Sequence, residues 1–143
     1  MHEKVLLVDD EQGFVEAMEK RLAKRGMVVR TALSGEAGLE MLQAGGGTEV
    51  VILDVKMPGM DGVETLRRIK AEFPLVEVIM LTGHGTVETA IEGMRLGAFD
   101  YLMKPCEIED LVAKVGKAAL RHQGHEARIL QAEAESIALR RGD

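Results

Sequence analysis

Residues 50–54, Val-Val-Ile-Leu-Asp, are the stretch that decides the fold of this chain. Four consecutive branched apolar residues are typical of a strand buried on both faces, as in a parallel sheet covered by helices. The strand runs into Asp54, and Pro58 and Gly59 place a turn shortly after it. Open α/β folds bind ligands at the carboxyl edge of the sheet, which makes Asp54 a candidate functional residue. Taken alone, a strand-ending Asp is more often a turn residue or a helix cap.

The composition describes one domain of ordinary size. The chain has 143 residues, of which 46% are hydrophobic and 29% are charged, close to the averages for globular domains. The formal net charge of -6 argues against a broad surface for nucleic acid or anionic membrane. The single Cys excludes an internal disulfide, and neither a membrane span nor a signal peptide is evident. We therefore expect a cytoplasmic protein.

Buried strands and amphipathic helices alternate five times along the chain. Besides residues 50–53, the pattern predicts strands at residues 5–8, 27–31, 76–81 and 99–103. A helical pattern follows each strand, as in α/β proteins with right-handed crossovers. The sequence therefore predicts a doubly wound, five-stranded parallel sheet with helices on both faces.

The last helical pattern starts at Glu107 and extends far beyond the strands. Gly124 interrupts it, and the apolar residues that follow lie among many charges. We expect a domain over residues 1–121 and a helical C-terminal tail or linker over residues 122–143. A solvated helix and a coiled-coil arm are both compatible with this tail.

Polar side chains end four of the five predicted strands: Asp9 with Asp10, then Asp54, Thr82 and Lys104. Parallel strands end at one edge of the sheet, about 4.8 Å apart, so these groups should surround one crevice. Clustered carboxylates stay ionised only beside a cation, and oxygen ligands suit Mg²⁺ better than zinc. A metal ion and a lysine together can receive a phosphoryl group, which a neighbouring carboxylate can attack. Each residue alone also has a simpler interpretation as a helix cap or a solvated loop residue.

Four motifs surround these strand ends, at residues 8–11 (Val-Asp-Asp-Glu), 53–62 (Leu-Asp-Val-Lys-Met-Pro-Gly-Met-Asp-Gly), 81–83 (Leu-Thr-Gly) and 99–105 (Phe-Asp-Tyr-Leu-Met-Lys-Pro). Together they resemble the receiver domain of two-component response regulators, of the chemotaxis-regulator type. Residues 81–86 (Leu-Thr-Gly-His-Gly-Thr), with residues 97–101 (Gly-Ala-Phe-Asp-Tyr), are most similar to receivers attached to ATPase-type transcription activators. The resemblance implies a flavodoxin-like sheet with strand order 2-1-3-4-5.

The resemblance implies how the crevice would handle a phosphoryl group. Asp54 would be the phospho-acceptor, while Thr82 and Lys104 would hold the phosphoryl oxygens. The peptide bond before Pro105 would be cis.

The resemblance also implies a metal site. Asp9 and Asp10 would bind Mg²⁺, directly or through water, together with Asp54 and the backbone carbonyl of Lys56. Mn²⁺ is the alternative ion.

Thr82 and Lys56 would have second roles around this site, and Tyr101 and His84 would act beside them. By resemblance, Thr82 swings towards the phosphoryl group and Tyr101 turns inward, which changes a protein-interaction face; a plain packing role for Tyr101 stays open. Lys56 and His84 overhang the crevice and are hypothesised to tune the phosphoryl lifetime, although His84 also fits an ordinary exposed loop.

The implied function is that of a phosphorylation-activated signalling receiver. It would take its phosphoryl group from a histidine kinase or a small phosphodonor, and catalyse only its own phosphotransfer and dephosphorylation rather than act as a conventional enzyme. Its partners would be the kinase and a downstream protein or an output domain, with homodimerisation left open. No nucleic-acid or membrane contact is expected for this chain.

Two other functional classes use similar groups. Aspartate-nucleophile phosphatases resemble a pattern with a second Asp two residues after the nucleophile, where this chain has Lys56. A flavin or nucleotide site would require a Gly- or Ser/Thr-rich loop after the first strand, where residues 9–11 are anionic. A scaffold that keeps the site without using it is the third alternative.

Overall fold

Five strands and five helices alternate in the computed structural model, which describes residues 2–142. The elements are β1 (Lys4–Val8), α1 (Gln12–Ala23), β2 (Val28–Ala32), α2 (Gly35–Gln43), β3 (Val50–Leu53), α3 (Gly62–Glu72), β4 (Glu77–Thr82), α4 (Val87–Arg95), β5 (Asp100–Met103) and α5 (Ile108–Arg141). All neighbouring strands are parallel, in the order β2-β1-β3-β4-β5. The predicted flavodoxin-like architecture is confirmed. The predicted domain and tail ranges reach Met1 and Asp143, which lie outside the described residues.

Each face of the sheet has its own hydrophobic cluster. Successive residues of a strand point to opposite faces, so Val5 and Leu7 join one cluster while Leu6 and Val8 join the other. Helices α1 and α5 cover the first face, and α2 and α3 cover the second. Every residue of β3 is buried, as its uninterrupted apolar sequence predicts. This central strand therefore fixes the position of the residue that follows it, Asp54.

The strand boundaries differ by one residue from those that the sequence predicts for β1, β2, β4 and β5. Hydrophobicity does not locate the ends of hydrogen-bonded ladders, which are set by register; β1 and β2, for example, pair from Lys4 and Val28 onwards. The shift moves Glu77 to the start of β4 and Thr82 to its end.

Helix α5 is much longer than the sheet requires. It runs for 34 residues through Gly124 without a break, a length of about 51 Å. Its last buried residue is His122, and no described residue after it is buried. The predicted extended C-terminal helix is confirmed. No helix within residues 2–142 combines the length and apolar character that crossing a membrane requires.

Candidate functional site

Two buried carboxylates lie side by side at the carboxyl edge of the sheet. Asp9 follows β1 and is 1% exposed, and Asp54 follows β3 and is 2% exposed. One oxygen of each is held by a backbone amide: Asp9 Oδ1 accepts from Glu11 N at 2.9 Å, and Asp54 Oδ1 accepts from Val55 N at 2.8 Å. These bonds direct the two remaining Oδ2 atoms towards a shared cation.

That cation is Lys104, which follows β5. Its Nζ lies 2.7 Å from Asp9 Oδ2, 3.5 Å from Glu11 Oε1 and 4.0 Å from Asp54 Oδ2. Burial alone would lower the pKa of Lys104, but the hydrogen bond to Asp9 and the three nearby carboxylates raise it above the ordinary value. The ammonium therefore stays charged, yet it balances only one of the three negative charges around it.

The excess negative charge affects the pKa of Asp9. Burial raises the pKa of Asp9 above its ordinary value, and the Asp54 carboxylate contributes in the same direction, against the hydrogen bonds from Lys104 and Glu11. A raised pKa means that the ionised form is destabilised at this position. A second cation beside Asp9 would relieve that cost.

The carboxylates have a geometry that fits a metal ion. Asp9, Glu11 and Asp54 each offer one oxygen, and these oxygens lie within 4.8 Å of one another. A donor set of oxygen atoms alone suits Mg²⁺, which keeps some of its water ligands. Glu11 belongs to this group although sequence reasoning did not single it out, whereas Asp10 is exposed and lines the crevice beside it. The acidic run at residues 9–11 carries the signal, but the direction of each side chain depends on the loop.

A crevice of about 440 Å³ opens over Asp54. Lys56 and His84 both line it, together with Asp10 and Glu11, so they overhang the site as the sequence predicts. The loop after β3 closes tightly because Gly62 N donates to Val55 O at 2.7 Å. A Cβ at Gly62 would lie 2.1 Å from the Asp54 carbonyl oxygen, so a larger residue would push this loop away.

The simpler interpretations of the strand-end residues as helix caps do not match the structure. The N-cap of α1 is Glu11, which makes no side-chain capping bond. The N-cap of α4 is Thr86, whose hydroxyl accepts from Thr89 N at 3.1 Å. Asp9, Asp10 and Thr82 therefore do not cap these helices.

Thr82 is fully buried at the end of β4, and its Oγ1 accepts a hydrogen bond from His84 N at 3.1 Å. The backbone N–H of Lys104 donates to the carbonyl oxygen of Thr82 at 2.8 Å. The peptide bond between Lys104 and Pro105 is cis. The ends of β4 and β5 thus bring the hydroxyl and the ammonium to the same edge.

Tyr101 is a half-buried residue of β5, and its hydroxyl reaches α4. Its hydroxyl is 3.0 Å from Thr89 Oγ1. A Cβ at Gly85 would lie 1.8 Å from the same hydroxyl, so only glycine leaves room for the ring in this position. Sequence reasoning identified Tyr101 but missed Thr89 and Gly85, because nothing in the pattern shows which loop the ring approaches.

A family model for the response regulator receiver domain matches residues 5–116, most of the chain. The chain belongs to this family. The predicted resemblance to two-component receivers is thereby confirmed, and the chain is a response regulator receiver that works in signalling.

The chain is similar to segments of longer curated proteins. It is 42% identical over 120 residues to the response regulator protein FleR of Pseudomonas aeruginosa, and 38% identical over 119 residues to the DNA-binding transcriptional regulator NtrC of Escherichia coli K12. These alignments cover 84% and 83% of this chain but 25% of either relative. The chain therefore spans a quarter of the length of these two proteins.

A solved structure shows the same fold over a whole receiver. The response regulator receiver domain protein from Clostridium thermocellum is 38% identical and superposes with a TM-score of 0.81. The match covers 85% of this chain and 97% of that one.

Proposed function

We propose that this receiver accepts a phosphoryl group on Asp54 from a histidine kinase or a small phosphodonor. Asp54 Oδ2 attacks phosphorus, the bond from phosphorus to the donor nitrogen or oxygen breaks, and its electron pair leaves with the donor. The product is an acyl phosphate on Asp54. Lys104 and Thr82 bind the phosphoryl oxygens, the first as a cation and the second as a hydrogen-bond donor.

The position of Asp54 Oδ2 carries this proposal. Asp54 lines the crevice, and within residues 2–142 its Oδ2 makes no hydrogen bond. The Oδ2 of Asp9, by contrast, accepts a hydrogen bond from Lys104 at 2.7 Å. The Asp54 carboxylate is therefore held in place through Oδ1, while Oδ2 is free to react.

Asp9, Asp10 and Asp54, with the backbone carbonyl of Lys56, are proposed to hold Mg²⁺, or Mn²⁺ as the alternative. The cluster of oxygens from Asp9, Glu11 and Asp54 supports this for Asp9 and Asp54, as does the raised pKa of Asp9. The ion would spread the charge of the phosphoryl group during transfer. Thermal melting tests the site: at about ten times its Kd, Mg²⁺ should add about 1.4 kcal/mol to the free energy of unfolding. This gain should disappear in Asp54→Asn.

The response to phosphorylation is proposed to pass through Thr82 and Tyr101. A phosphoryl group brings nearly two negative charges that must be paired. The Thr82 hydroxyl, which accepts from His84 N in this structure, would turn to donate to a phosphoryl oxygen. Tyr101 would turn inward, into the space beside Thr82. Lys56 and His84, at the rim of the crevice, are proposed to set how easily water reaches the acyl phosphate.

The family supports a proposal about the domain bounds, the partners and the location of the receiver. Residues 1–121 are proposed to form the receiver and residues 122–143 a helical tail or linker, since burial along α5 ends at His122. A sensor histidine kinase is the proposed donor, and an output domain or a separate protein the proposed target. The proposed location is the cytoplasm. The receiver would catalyse its own phosphotransfer and dephosphorylation, and would not be a conventional enzyme.

Intact-mass measurement with acetyl phosphate and Mg²⁺ tests the proposal. One added phosphoryl group is expected in the wild type and none in Asp54→Asn. Asp61→Asn is the matched control, because Asp61 is an exposed carboxylate in the same loop and Asn can also cap α3. Continuous release of phosphate from simple esters would instead favour a phosphatase. Neither reaction would favour a scaffold that keeps the site unused.

A further inference from the structure

An aromatic ring lies against the lysine of the crevice. Phe14 is in the first turn of α1 and is partly buried against the cluster under that helix. The Nζ of Lys104 lies 3.9 Å from the centroid of the Phe14 ring. The face of this ring therefore meets a cation.

The distance and the burial make this contact a strong one of its kind. A cation within about 6 Å of an aromatic centroid is attracted by the negative face of the ring, and the attraction grows when water is excluded. The Lys104 side chain is 16% exposed, so water replaces little of the interaction if the ring is removed.

A metal ion can compete with Lys104 for its carboxylate partners but not for the ring. Asp9, Glu11 and Asp54 are the same carboxylates that fit a metal ion, and an ion among them would weaken their hold on the ammonium. The face of Phe14 is not a ligand for such an ion. It therefore keeps its attraction for Lys104 when the carboxylates are otherwise engaged.

The ring also limits where the ammonium can go. A second cavity of about 340 Å³ lies between α1 and the chain that follows β5, and Phe14, Lys104 and Cys106 are among its lining residues. Cys106 is small and only partly buried, so it leaves this space open. Without the ring, the Lys104 side chain would gain an alternative position away from Asp54.

We propose that Phe14 is a positioning residue that holds the Lys104 ammonium over the crevice for phosphoryl transfer. The role rests on the proposed function of Lys104. Phe14 touches no reacting atom itself, and acts by reducing the freedom of a side chain that does.

Three variants test this role. Phe14→Leu keeps apolar bulk but removes the aromatic face, and Phe14→Tyr restores it. Phe99→Leu is the matched control: Phe99 packs partly buried against the same cluster, and the cation near its ring is Arg121, at 5.8 Å. Thermal melting of each variant identifies any general loss of folding.

The first measurement is the NMR shift of the ε-methylene protons of Lys104. A ring current should shift them upfield in the wild type, in Phe14→Tyr and in Phe99→Leu, and the shift should vanish in Phe14→Leu. The second is the initial rate of phosphorylation at limiting acetyl phosphate with Mg²⁺. Phe14→Leu should lower this rate about threefold to tenfold, while Phe14→Tyr and Phe99→Leu stay within about twofold of the wild type.

Three results would overturn the role in different ways. Phosphorylation of Phe14→Leu at the wild-type rate contradicts it alone and leaves the proposed function standing. An equal loss in Phe99→Leu assigns the effect to general packing. A wild-type protein that takes up no phosphoryl group contradicts the proposed function, and with it the role of Phe14.

Discussion

Carboxylates lie beside cations at both edges of the sheet, but in opposite proportions. At the carboxyl edge, Asp9, Glu11 and Asp54 share the single ammonium of Lys104. At the amino edge the ratio is reversed: one buried carboxylate lies between two cations. Where carboxylates outnumber cations, binding another cation stabilises the site. Where one carboxylate has two cationic partners, it forms a structural link between them.

The amino-edge carboxylate is Glu77, which begins β4 and is 3% exposed. Its oxygens lie 3.0 Å from Arg121 Nε and 3.7 Å from Lys70 Nζ. Lys70 also donates to the carbonyls of Pro74 and Val76, each at 2.9 Å. These contacts join α3, β4 and α5 and give each oxygen of Glu77 a cationic partner.

Helix α5 is also held at this edge by side-chain hydrogen bonds. His122 Nδ1 lies 2.7 Å from the carbonyl oxygen of Leu75, and Gln123 Nε2 donates to Glu49 Oε2 at 2.7 Å. The helix is thus fixed to the receiver at the point where it leaves the sheet.

The largest expected effect is on phosphorylation by Asp9→Asn. It removes one of the charges proposed to bind Mg²⁺ but keeps an oxygen that can accept from Glu11 N. With acetyl phosphate and Mg²⁺, the initial rate should fall about 100-fold. Glu77→Gln, the same loss of charge at the other edge, should leave the rate within about twofold. Equal losses from the two variants would remove the distinction between the edges.

The second expected effect is on the free energy of unfolding. Here the loss of charge at the amino edge should have the larger effect. Glu77→Gln leaves Lys70 and Arg121 without their shared carboxylate. Because the Arg121 side chain is 56% exposed and can return to water, the free energy of unfolding should fall by about 2 kcal/mol, less than for a fully buried pair. Urea denaturation without Mg²⁺ measures this.

Asp54→Asn is the matched comparison for that experiment. It removes charge repulsion from Asp9 and keeps an acceptor for Val55 N, so stability without Mg²⁺ should stay equal or rise by about 1 kcal/mol. A loss as large as that in Glu77→Gln would mean that the carboxyl edge is also a structural link.

The smallest expected effect concerns Tyr101. A Cβ in Gly85→Ala would displace the ring and break its contact with Thr89, at a cost of about 1 kcal/mol. Tyr101 is the only tyrosine of the chain, so ¹⁹F-labelled tyrosine gives one NMR resonance. Its shift should change in Gly85→Ala and on phosphorylation of the wild type, and stay constant in Glu77→Gln. An unchanged resonance on phosphorylation would separate Tyr101 from the response.

The fold and the composition of the crevice could be predicted because they depend on backbone direction. Buried runs such as residues 50–53 specify parallel strands, and parallel strands end at one edge. Asp54, Thr82 and Lys104 therefore had to lie near each other whatever their rotamers. The strand order came from the resemblance rather than from the pattern.

What could not be predicted depends on side-chain direction and long-range contacts. Glu11 and Phe14 turn towards Lys104 across some ninety residues of sequence, and Glu77 finds Arg121 in the last helix. Gly124 did not end α5, because one helical Gly costs only about 1 kcal/mol and its neighbours favour helix. Such contacts become visible only once packing is known.

The central claim is that the phosphoryl group goes to Asp54 and not to the carboxylates around it. Borohydride reduction of the phosphorylated receiver converts an aspartyl phosphate to homoserine, and tandem mass spectrometry locates the change. Homoserine at position 54 alone is the predicted result. Reduction at Asp9 or Asp10, or the corresponding product at Glu11, would contradict it.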